Sequence, residues 1–310
     1  DFGAIVAAAS LAHDLGNPPF GHAGEDAISD FFIQHPVAAS IQSKVTEAEW
    51  TDLTKFEGNA QGFRILNKNQ YGLKLTFATL GAFTKYPCPA FFPARDKSKR
   101  SQKKFGFFQS EKTIFNEVAQ ALSLPKIGEN VYERHPLAYL VEAADDICYS
   151  IIDLEDGCSL GLISYDDAKT LLENILTKNK SKLGKLDQLN SKAEKIGFLR
   201  ALAIGDLMDE CSTLFLDSEK EIINGTFNQA LADLCPSKQA LKDIIRISVE
   251  KIYRSRNVVE IEASGHRVLP GLMEEFFTAG IYLYENTKSR KYENLALLFP
   301  EDILLNIKQA

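Results

Sequence analysis

The sequence predicts an all-α protein. Apolar residues recur at three- and four-residue spacings through most of the 310 residues, as in the run from Leu137 to Ile151, and this is the period of amphipathic helices. The alternation typical of β-strands is scarce, and its best candidate is the short segment Val258 to Ile261. With 45% hydrophobic and 25% charged residues, the chain has the composition of a globular protein that can bury a large core.

The first predicted helix is an apolar run from Phe2 to Ala12, broken only by Gly3 and Ser10. We expect this helix to be buried, and it is too short to span a bilayer, so no membrane partner is predicted. Further helical patterns cover residues 57–67, 110–123, 166–177, 190–215, 237–254 and 268–285. We place a core at residues 1–160 and a helical C-terminal part at residues 161–310, packed on that core as one unit.

Proline and glycine mark the breaks between these helices. The segment from Gly16 to Pro19 cannot continue a helix, and residues 86–93 form a stiff proline-rich loop. Directly after that loop, residues 95–104 carry six positive charges in a protein of net charge −7. Any site for a polyanion must therefore be local. A second lysine-rich stretch, residues 178–185, is expected to be a solvated loop.

The cysteines and the start of the chain carry two further expectations. Five cysteines form no CxxC pair and leave an odd number, which argues against a disulfide framework and favours a reducing cytoplasm. The chain opens with Asp1 directly before an apolar helix. We therefore expect that an upstream part of the protein lies outside this chain.

A histidine and an aspartate, His13 and Asp14, close the first predicted helix. Neighbouring residues within a helix point about 100° apart, so both can reach one ion only where the helix ends. Imidazole nitrogen and carboxylate oxygen are donors for divalent ions such as Mn, Fe, Co, Zn or Mg. The alternative is a helix cap or a buried hydrogen bond.

Three polar residues, Asp145, Tyr149 and Asp153, recur at i, i+4 and i+8 within an otherwise apolar helical pattern. They share an arc of about 80° on one helix face. We expect their carboxylates to lie in or beside the interior, where they need a cation, a metal or hydrogen-bond donors. The alternative is a salt-bridged helix face.

The thirteen residues from His13 to Glu25 resemble the metal-binding signature of the HD-domain deoxynucleoside triphosphate triphosphohydrolases, the dGTPase family. Further blocks similar to that family follow in order at residues 56–62, 84–87, 104–108 and 142–147. The resemblance covers residues 11–157 and is diffuse beyond about 160. It implies the HD-domain superfamily multi-helix bundle, with additional C-terminal helices.

The resemblance implies that His13, Asp14 and Asp145 bind the metal, and that His22, oriented by Glu25, handles a proton. From the sequence pattern alone, without the resemblance, we would interpret His22 as a loop histidine and Glu25 as an acid in the first turn of a helix. Family members use a further metal-binding histidine from an upstream helix, which this sequence lacks. Three other histidines occupy no matching motif: His35, His135 and His266.

The remaining implied site residues bind the substrate. Lys85 and Tyr86 match family residues that contact the triphosphate. A lysine of the pair Lys103 and Lys104, with Lys104 preferred, matches another such residue. Asn59 matches a family position that lines the same site. Lys97 and Lys99 are expected to be surface residues.

Two residues of the helical stripe match positions that face the deoxyribose. The ring of Tyr149 would exclude a 2′-hydroxyl, and the carboxylate of Asp153 would accept a hydrogen bond from the 3′-hydroxyl. This pair would therefore select a dNTP over an NTP.

These expectations combine into a metal-dependent dNTP triphosphohydrolase, with dGTP as the leading substrate. Water would attack the α-phosphorus and release deoxynucleoside and tripolyphosphate, with Mn, Mg or another divalent metal ion bound. The resemblance also implies a homo-oligomer, commonly a hexamer, and regulation by a nucleotide or single-stranded DNA. Two alternatives are an HD phosphohydrolase acting on another nucleotide and a non-catalytic module that binds nucleotides or single-stranded DNA.

Overall fold

Helices dominate the computed structural model, which describes residues 1–68 and 74–309. The helices are α1 Phe2–Ala12, α2 Gly21–Gln34, α3 Pro36–Gln42, α4 Glu47–Thr54, α5 Gly58–Asn67, α6 Phe77–Phe83, α7 Lys112–Ala121, α8 Ala138–Ser159, α9 Tyr165–Glu173, α10 Lys192–Asp217, α11 Glu219–Ile223, α12 Leu231–Leu234, α13 Lys238–Ser248, α14 Arg256–Tyr284, α15 Arg290–Ala296 and α16 Glu301–Gln309. A short antiparallel hairpin pairs β1 Lys126–Gly128 with β2 Val131–Tyr132. The all-α prediction is confirmed.

The chain forms two compact units. The first unit contains residues 1–16 and 57–259, and the second contains residues 17–56 and the chain from residue 260 onward. The predicted division at residue 160 stays a prediction. The structure groups the residues differently, because the core of the first unit includes buried side chains from both sides of that position, such as Leu154, Leu172 and Leu199.

The long helix α8 is central to the first unit. Its apolar side chains, including Ile147 and Ile151, pack in one core cluster with residues of α9, α10, α12 and α13. A second cluster lies among α1, α5, α6, α7 and β2. The rings of Phe107 and Phe115 stack there with centroids 4.4 Å apart. Helix α8 reaches the second cluster through Val141 and so connects both parts of the core.

The prediction that the first helix is buried is wrong. Helix α1 packs on α6 and α8 through a stripe that contains Ala9, its one fully buried residue. Phe2 is 75% exposed and Leu11 is 91% exposed. A helix that packs along one side buries only part of its circumference, so an apolar run longer than that stripe leaves the rest of its side chains in contact with solvent.

Two local predictions are corrected. The strand candidate Val258 to Ile261 lies inside the 29-residue helix α14, because the β preference of branched residues is weak and yields to tertiary context. The lysine-rich stretch is exposed but forms a 3₁₀ helix, Lys178–Gln188. The buried carboxylate of Asp206 accepts hydrogen bonds from the backbone N–H groups of Thr177 and Asn179 at its start.

The second unit has its own aromatic core, which joins its two chain segments. Phe31 and Phe32 of α2 contact Phe277 of α14 with centroids 5.6 and 5.3 Å apart. At the start of α2, a Cβ on Gly24 would collide with the carbonyl oxygen of Pro19, so the proline-rich turn requires a glycine there. In residues 1–68 and 74–309, no helix is long and apolar enough to cross a membrane.

Candidate functional site

The three predicted metal residues lie together in the first unit. Helix α1 ends at Ala12, and the chain turns at His13 and Asp14. The Nε2 atom of His13 lies 3.1 Å from Oδ2 of Asp14 and 3.4 Å from Oδ1 of Asp145. Its Nδ1 atom lies 2.7 Å from the carbonyl oxygen of Ser10. Because Nδ1–H donates to that carbonyl, Nε2 is the nitrogen that can accept a metal.

The donor set fits a divalent ion in kind, and two of its donor spacings also fit. Bonds of about 2.1 Å place neighbouring donors about 3.0 to 3.5 Å apart, which includes both distances from His13 Nε2. Within the described part of the chain, however, no group of three or more His, Cys, Asp or Glu side chains could hold a metal ion as it stands. His13, Asp14 and Asp145 therefore provide suitable donors and require a side-chain adjustment or a further ligand to enclose an ion.

The start of α5 lies beside the turn that carries these residues. A Cβ on Gly16 would collide with the carbonyl oxygen of Gly58 and the backbone of Gly62. Glycine at position 16 therefore allows α5 to approach closely. As a result, Gly58, the residue before Asn59 at the N-terminus of α5, lies against Gly16 at the end of this turn.

A buried glutamate, Glu57, connects two of the predicted substrate residues. Its Oε1 atom accepts hydrogen bonds from the side-chain amide of Asn59 at 2.7 Å and from Nζ of Lys104 at 3.2 Å. Glu57 also caps α5 by accepting the backbone N–H of Asn59. Glu57 lies in the block at residues 56–62 that resembles the family, but no role was predicted for it.

A second buried glutamate, Glu142, holds the other predicted phosphate-binding lysine. Nζ of Lys85 lies 3.4 Å from Oε1 of Glu142 and 3.7 Å from Oδ2 of Asp145. Arg100 and Arg134 contact the same Glu142 carboxylate at 2.9 and 2.8 Å. The charge pattern of α8 gave no signal for this cluster, because its cations come from distant segments of the chain.

The charges in this cluster shift one another's pKa values. Burial alone would raise the pKa of Glu142, but Arg134, Lys85 and Arg100 outweigh burial and lower it. Burial favours neutral Lys85, yet Glu142 and neighbouring acids raise the pKa of the ammonium above its ordinary value. Burial raises the pKa of Asp146 to about 6. Glu142 and Lys85 are therefore both charged at neutral pH.

The basic run at residues 95–104 is mostly committed to internal contacts. Arg95 donates hydrogen bonds to four backbone carbonyl oxygens. Arg100 contacts Asp233 at 2.8 Å in addition to Glu142. Lys99 lies 3.6 Å from Glu133. Lys104 also forms an internal contact, since its Nζ lies 3.1 Å from Oε2 of Glu57 beside Asn59, and its predicted phosphate role stays a prediction.

The predicted sugar residues contact an aromatic residue, Tyr253, which was not among the predicted site residues. Tyr149 is 52% exposed, and its ring stacks on Tyr253 with centroids 5.5 Å apart. The Tyr253 hydroxyl donates a hydrogen bond to Oδ2 of Asp153 at 2.5 Å. Burial raises the pKa of Asp153, and this hydrogen bond counteracts that shift. Tyr253 ends a π-helical segment, a feature frequent at functional sites, but it lies 100 residues from Asp153.

The predicted catalytic pair belongs to the second unit. His22 and Glu25 lie on the first turns of α2, with His22 exposed and Glu25 half-buried. The predicted role of His22 in proton transfer, with Glu25 orienting it, stays a prediction. Of the unmatched histidines, His35 accepts the backbone N–H of Val37 at the start of α3, and His135 accepts that of Leu137 before α8. Both of these histidines have structural roles.

Several curated proteins are similar to this chain over most of its length. A deoxyguanosinetriphosphate triphosphohydrolase-like protein of Synechocystis is 43% identical over 293 residues, which cover 90% of this chain and 65% of that relative. A protein of the same name from Pseudomonas aeruginosa is 36% identical over 92% of this chain and 65% of its own length. A deoxyguanosinetriphosphate triphosphohydrolase of Yersinia pestis is 30% identical over 96% of this chain and 67% of its own length.

These similarities identify the family. The chain belongs to the deoxyguanosinetriphosphate triphosphohydrolase family. It spans 65% of the length of the Synechocystis and Pseudomonas relatives. No protein-family model matches the chain.

Proposed function

We propose that the protein is a metal-dependent dNTP triphosphohydrolase that converts a dNTP, with dGTP as the leading substrate, and water into a deoxynucleoside and tripolyphosphate. The observation that carries this proposal is the meeting of His13, Asp14 and Asp145, with Nζ of Lys85 lying 3.7 Å from Asp145. Metal ligands beside a mostly buried lysine are suited to binding a triphosphate, which is polyanionic. Family membership supports the same reaction.

The proposed roles follow from the charges. Nε2 of His13 and the carboxylates of Asp14 and Asp145 would hold Mn, Mg or another divalent metal ion, which when bound would polarise a phosphoryl oxygen. Lys85 and Lys104 donate to the phosphate oxygens, and Tyr86 and Asn59 line the same region. A triphosphate carries about four negative charges, so an acidic protein needs these localised cations to bind it.

His22, oriented by Glu25, takes the proton role in this proposal. The attacking water loses a proton as it bonds to the α-phosphorus, and the leaving 5′-oxygen gains one. A histidine changes its protonation state near neutral pH, which suits it to this exchange.

The sugar lies against Tyr149 and Asp153 in this proposal. A carboxylate has two oxygens and several acceptor positions, so Asp153 can retain the Tyr253 hydroxyl at Oδ2 and accept the 3′-hydroxyl as well. Close packing of the Tyr149 ring against C2′ excludes a 2′-hydroxyl.

We also propose a cytoplasmic homo-oligomer, commonly hexameric in this family, with a regulatory nucleotide or single-stranded DNA as a partner. This part of the proposal rests on the family resemblance. Light scattering with and without dNTP would measure the oligomeric state.

The product assay tests the reaction. The protein is incubated with Mn or Mg and each dNTP or GTP, and the products are resolved by ion-exchange chromatography. We expect deoxynucleoside and tripolyphosphate from dNTPs, little product from GTP, and no product with Asp145→Asn. The control Asp217→Asn changes an exposed residue at the end of α10 and should match the wild type. A preference for GTP would remove the sugar argument, and no cleavage even with added nucleotides would favour the non-catalytic module.

A further inference from the structure

The buried carboxylate of Glu142 contacts three cations at once. Its side chain is 1% exposed and lies one helical turn before Asp145 on α8. Oε1 lies 2.9 Å from Nε of Arg100 and 3.4 Å from Nζ of Lys85, and Oε2 lies 2.8 Å from an Nη atom of Arg134. Interactions between charges are strong where water is excluded, so this carboxylate restrains all three cations.

Arg134 restrains Lys85 at a second point. Its side chain is 1% exposed, and its Nε donates a 2.8 Å hydrogen bond to the backbone carbonyl of Lys85. Its guanidinium lies 5.8 Å from the ring centroid of Tyr86 and 5.3 Å from that of Tyr139. The pair of Arg134 and Glu142 therefore fixes both the backbone and the ammonium of Lys85.

Only some of these cations can reach a ligand. Arg134 is fully buried, and Arg100 is held by Asp233 as well as by Glu142. The side chains of Lys85 and Arg100 are each 22% exposed, and of these two it is the Lys85 ammonium that lies 3.7 Å from Asp145. Of the cations on Glu142, Lys85 is thus the one with an accessible ammonium beside a predicted metal ligand.

We infer that Glu142 and Arg134 are positioning residues, which hold the Lys85 ammonium beside Asp145 where it binds the polyphosphate group of the substrate. This inference rests on the proposed function and deepens it. Glu142 itself touches no substrate; it acts through Lys85.

The substitution Glu142→Gln separates three possible roles. It keeps the shape and an oxygen acceptor but removes the charge. If Glu142 affected binding only through the electrostatic repulsion between its negative charge and the phosphates, loss of that charge would tighten polyphosphate binding. A purely structural role would lower the melting temperature and leave polyphosphate binding unchanged. The positioning role weakens binding, because a released lysine recovers rotamer freedom that it must lose again on binding.

The experiment measures binding of inorganic tripolyphosphate without metal by calorimetry, together with kcat and KM for dGTP with Mn. We expect Glu142→Gln to weaken tripolyphosphate binding about tenfold and raise KM similarly, with kcat changed by less than about threefold. In a Lys85→Ala background, the same substitution should change binding by less than about twofold, because the interaction it acts through is gone. Arg134→Lys should act in the same direction as Glu142→Gln and carries the test if that variant does not fold.

The matched control is Glu155→Gln. Glu155 lies on the same helix and pairs with Arg200 at 2.7 Å, away from Lys85. Its substitution should leave both binding and KM unchanged.

The outcomes separate this inference from the proposed function. Tighter or unchanged tripolyphosphate binding in Glu142→Gln, or an equal loss in the Lys85→Ala background, overturns the inference even when dNTPs are hydrolysed. A wild-type protein that hydrolyses no dNTP but shows the expected binding pattern supports the inference and overturns the proposed function. A wild-type protein that binds no tripolyphosphate overturns the inference.

Discussion

Predicted metal ligands lie directly after helix α1 and on helix α8, but the two helices are buried to different extents. The more apolar of the two helices is the less buried one. Helix α1 is almost entirely apolar and has one buried residue among 11. Helix α8 carries a stripe of acids and has ten buried residues among 22. Within the first unit α1 packs on α6 and α8, whereas α8 packs on α1, α6, α9, α10, α12 and α13. The number of packing partners, not the composition, decides how much of a helix is buried.

The difference extends to the site. His13 and Asp14 lie in the turn after an exposed helix, and the side chain of Asp14 is 67% exposed. Asp145 projects from the central helix, and its side chain is 35% exposed. The buried helix therefore supplies the better-fixed ligand and, through Glu142, the fixed lysine.

The largest expected effect is the loss of Asp145. Asp145→Ala should abolish detectable Mn binding and lower dNTP turnover about a thousandfold, equivalent to about 4 kcal/mol. Calorimetry with Mn and the product assay measure both quantities. Metal affinity that survives this change would contradict the role of Asp145 as a ligand.

The next effect is on folding. Glu142→Ala leaves three cations around an empty position, and breaking such a buried charge cluster costs about 3 to 5 kcal/mol of unfolding free energy. Glu155 also lies on α8 and forms a partly exposed ion pair with Arg200 of α10. Glu155→Ala should therefore cost about 0 to 1 kcal/mol of unfolding free energy. Urea denaturation compares the two. Equal costs would show that the Glu142 cluster contributes no more than a surface ion pair.

A leucine pair tests the comparison of the helices directly. Leu154 on α8 is 0% exposed, and Leu11 on α1 is 91% exposed. Leu154→Ala should cost about 2 to 5 kcal/mol because it leaves a cavity, whereas Leu11→Ala should stay within about 0.5 kcal/mol. A large cost at Leu11, measured by denaturation, would mean that α1 is buried in solution.

The smallest effect concerns pH. Burial raises the pKa of Asp153, so the folded protein holds this proton more tightly than the unfolded chain. The resulting stability is fully present below about pH 4 and falls as the pH rises through the raised pKa. Asp153→Asn should flatten that part of the profile, whereas Tyr253→Phe should steepen it by removing a hydrogen bond that stabilises the carboxylate. Urea denaturation between pH 3 and 7 measures this, and an unchanged profile in Asp153→Asn would contradict it.

The local features of the site could be predicted from the sequence. The end of α1 at Ala12 follows from the proline-rich turn, and the turn brings His13 and Asp14 within 3.1 Å. The stripe of Asp145, Tyr149 and Asp153 follows from helical geometry. In each case the relevant residues are close together in the chain.

Contacts between residues that are far apart in the sequence could not be predicted in this way. Tyr253 meets Asp153 across 100 residues, and Arg100 meets Asp233 across 133. The second unit joins residues 17–56 to the chain from residue 260 onward. Periodicity describes one helix at a time, so it cannot determine which helices pack together or how many partners bury α1.

The most direct test of the proposed reaction is hydrolysis of dGTP in ¹⁸O-labelled water, with the products analysed by mass spectrometry. Attack of water at the α-phosphorus breaks the bond between that phosphorus and the 5′-oxygen. We therefore expect one ¹⁸O atom in tripolyphosphate and none in deoxyguanosine. Label in deoxyguanosine, or dGDP and labelled phosphate as products, would contradict attack of water at the α-phosphorus.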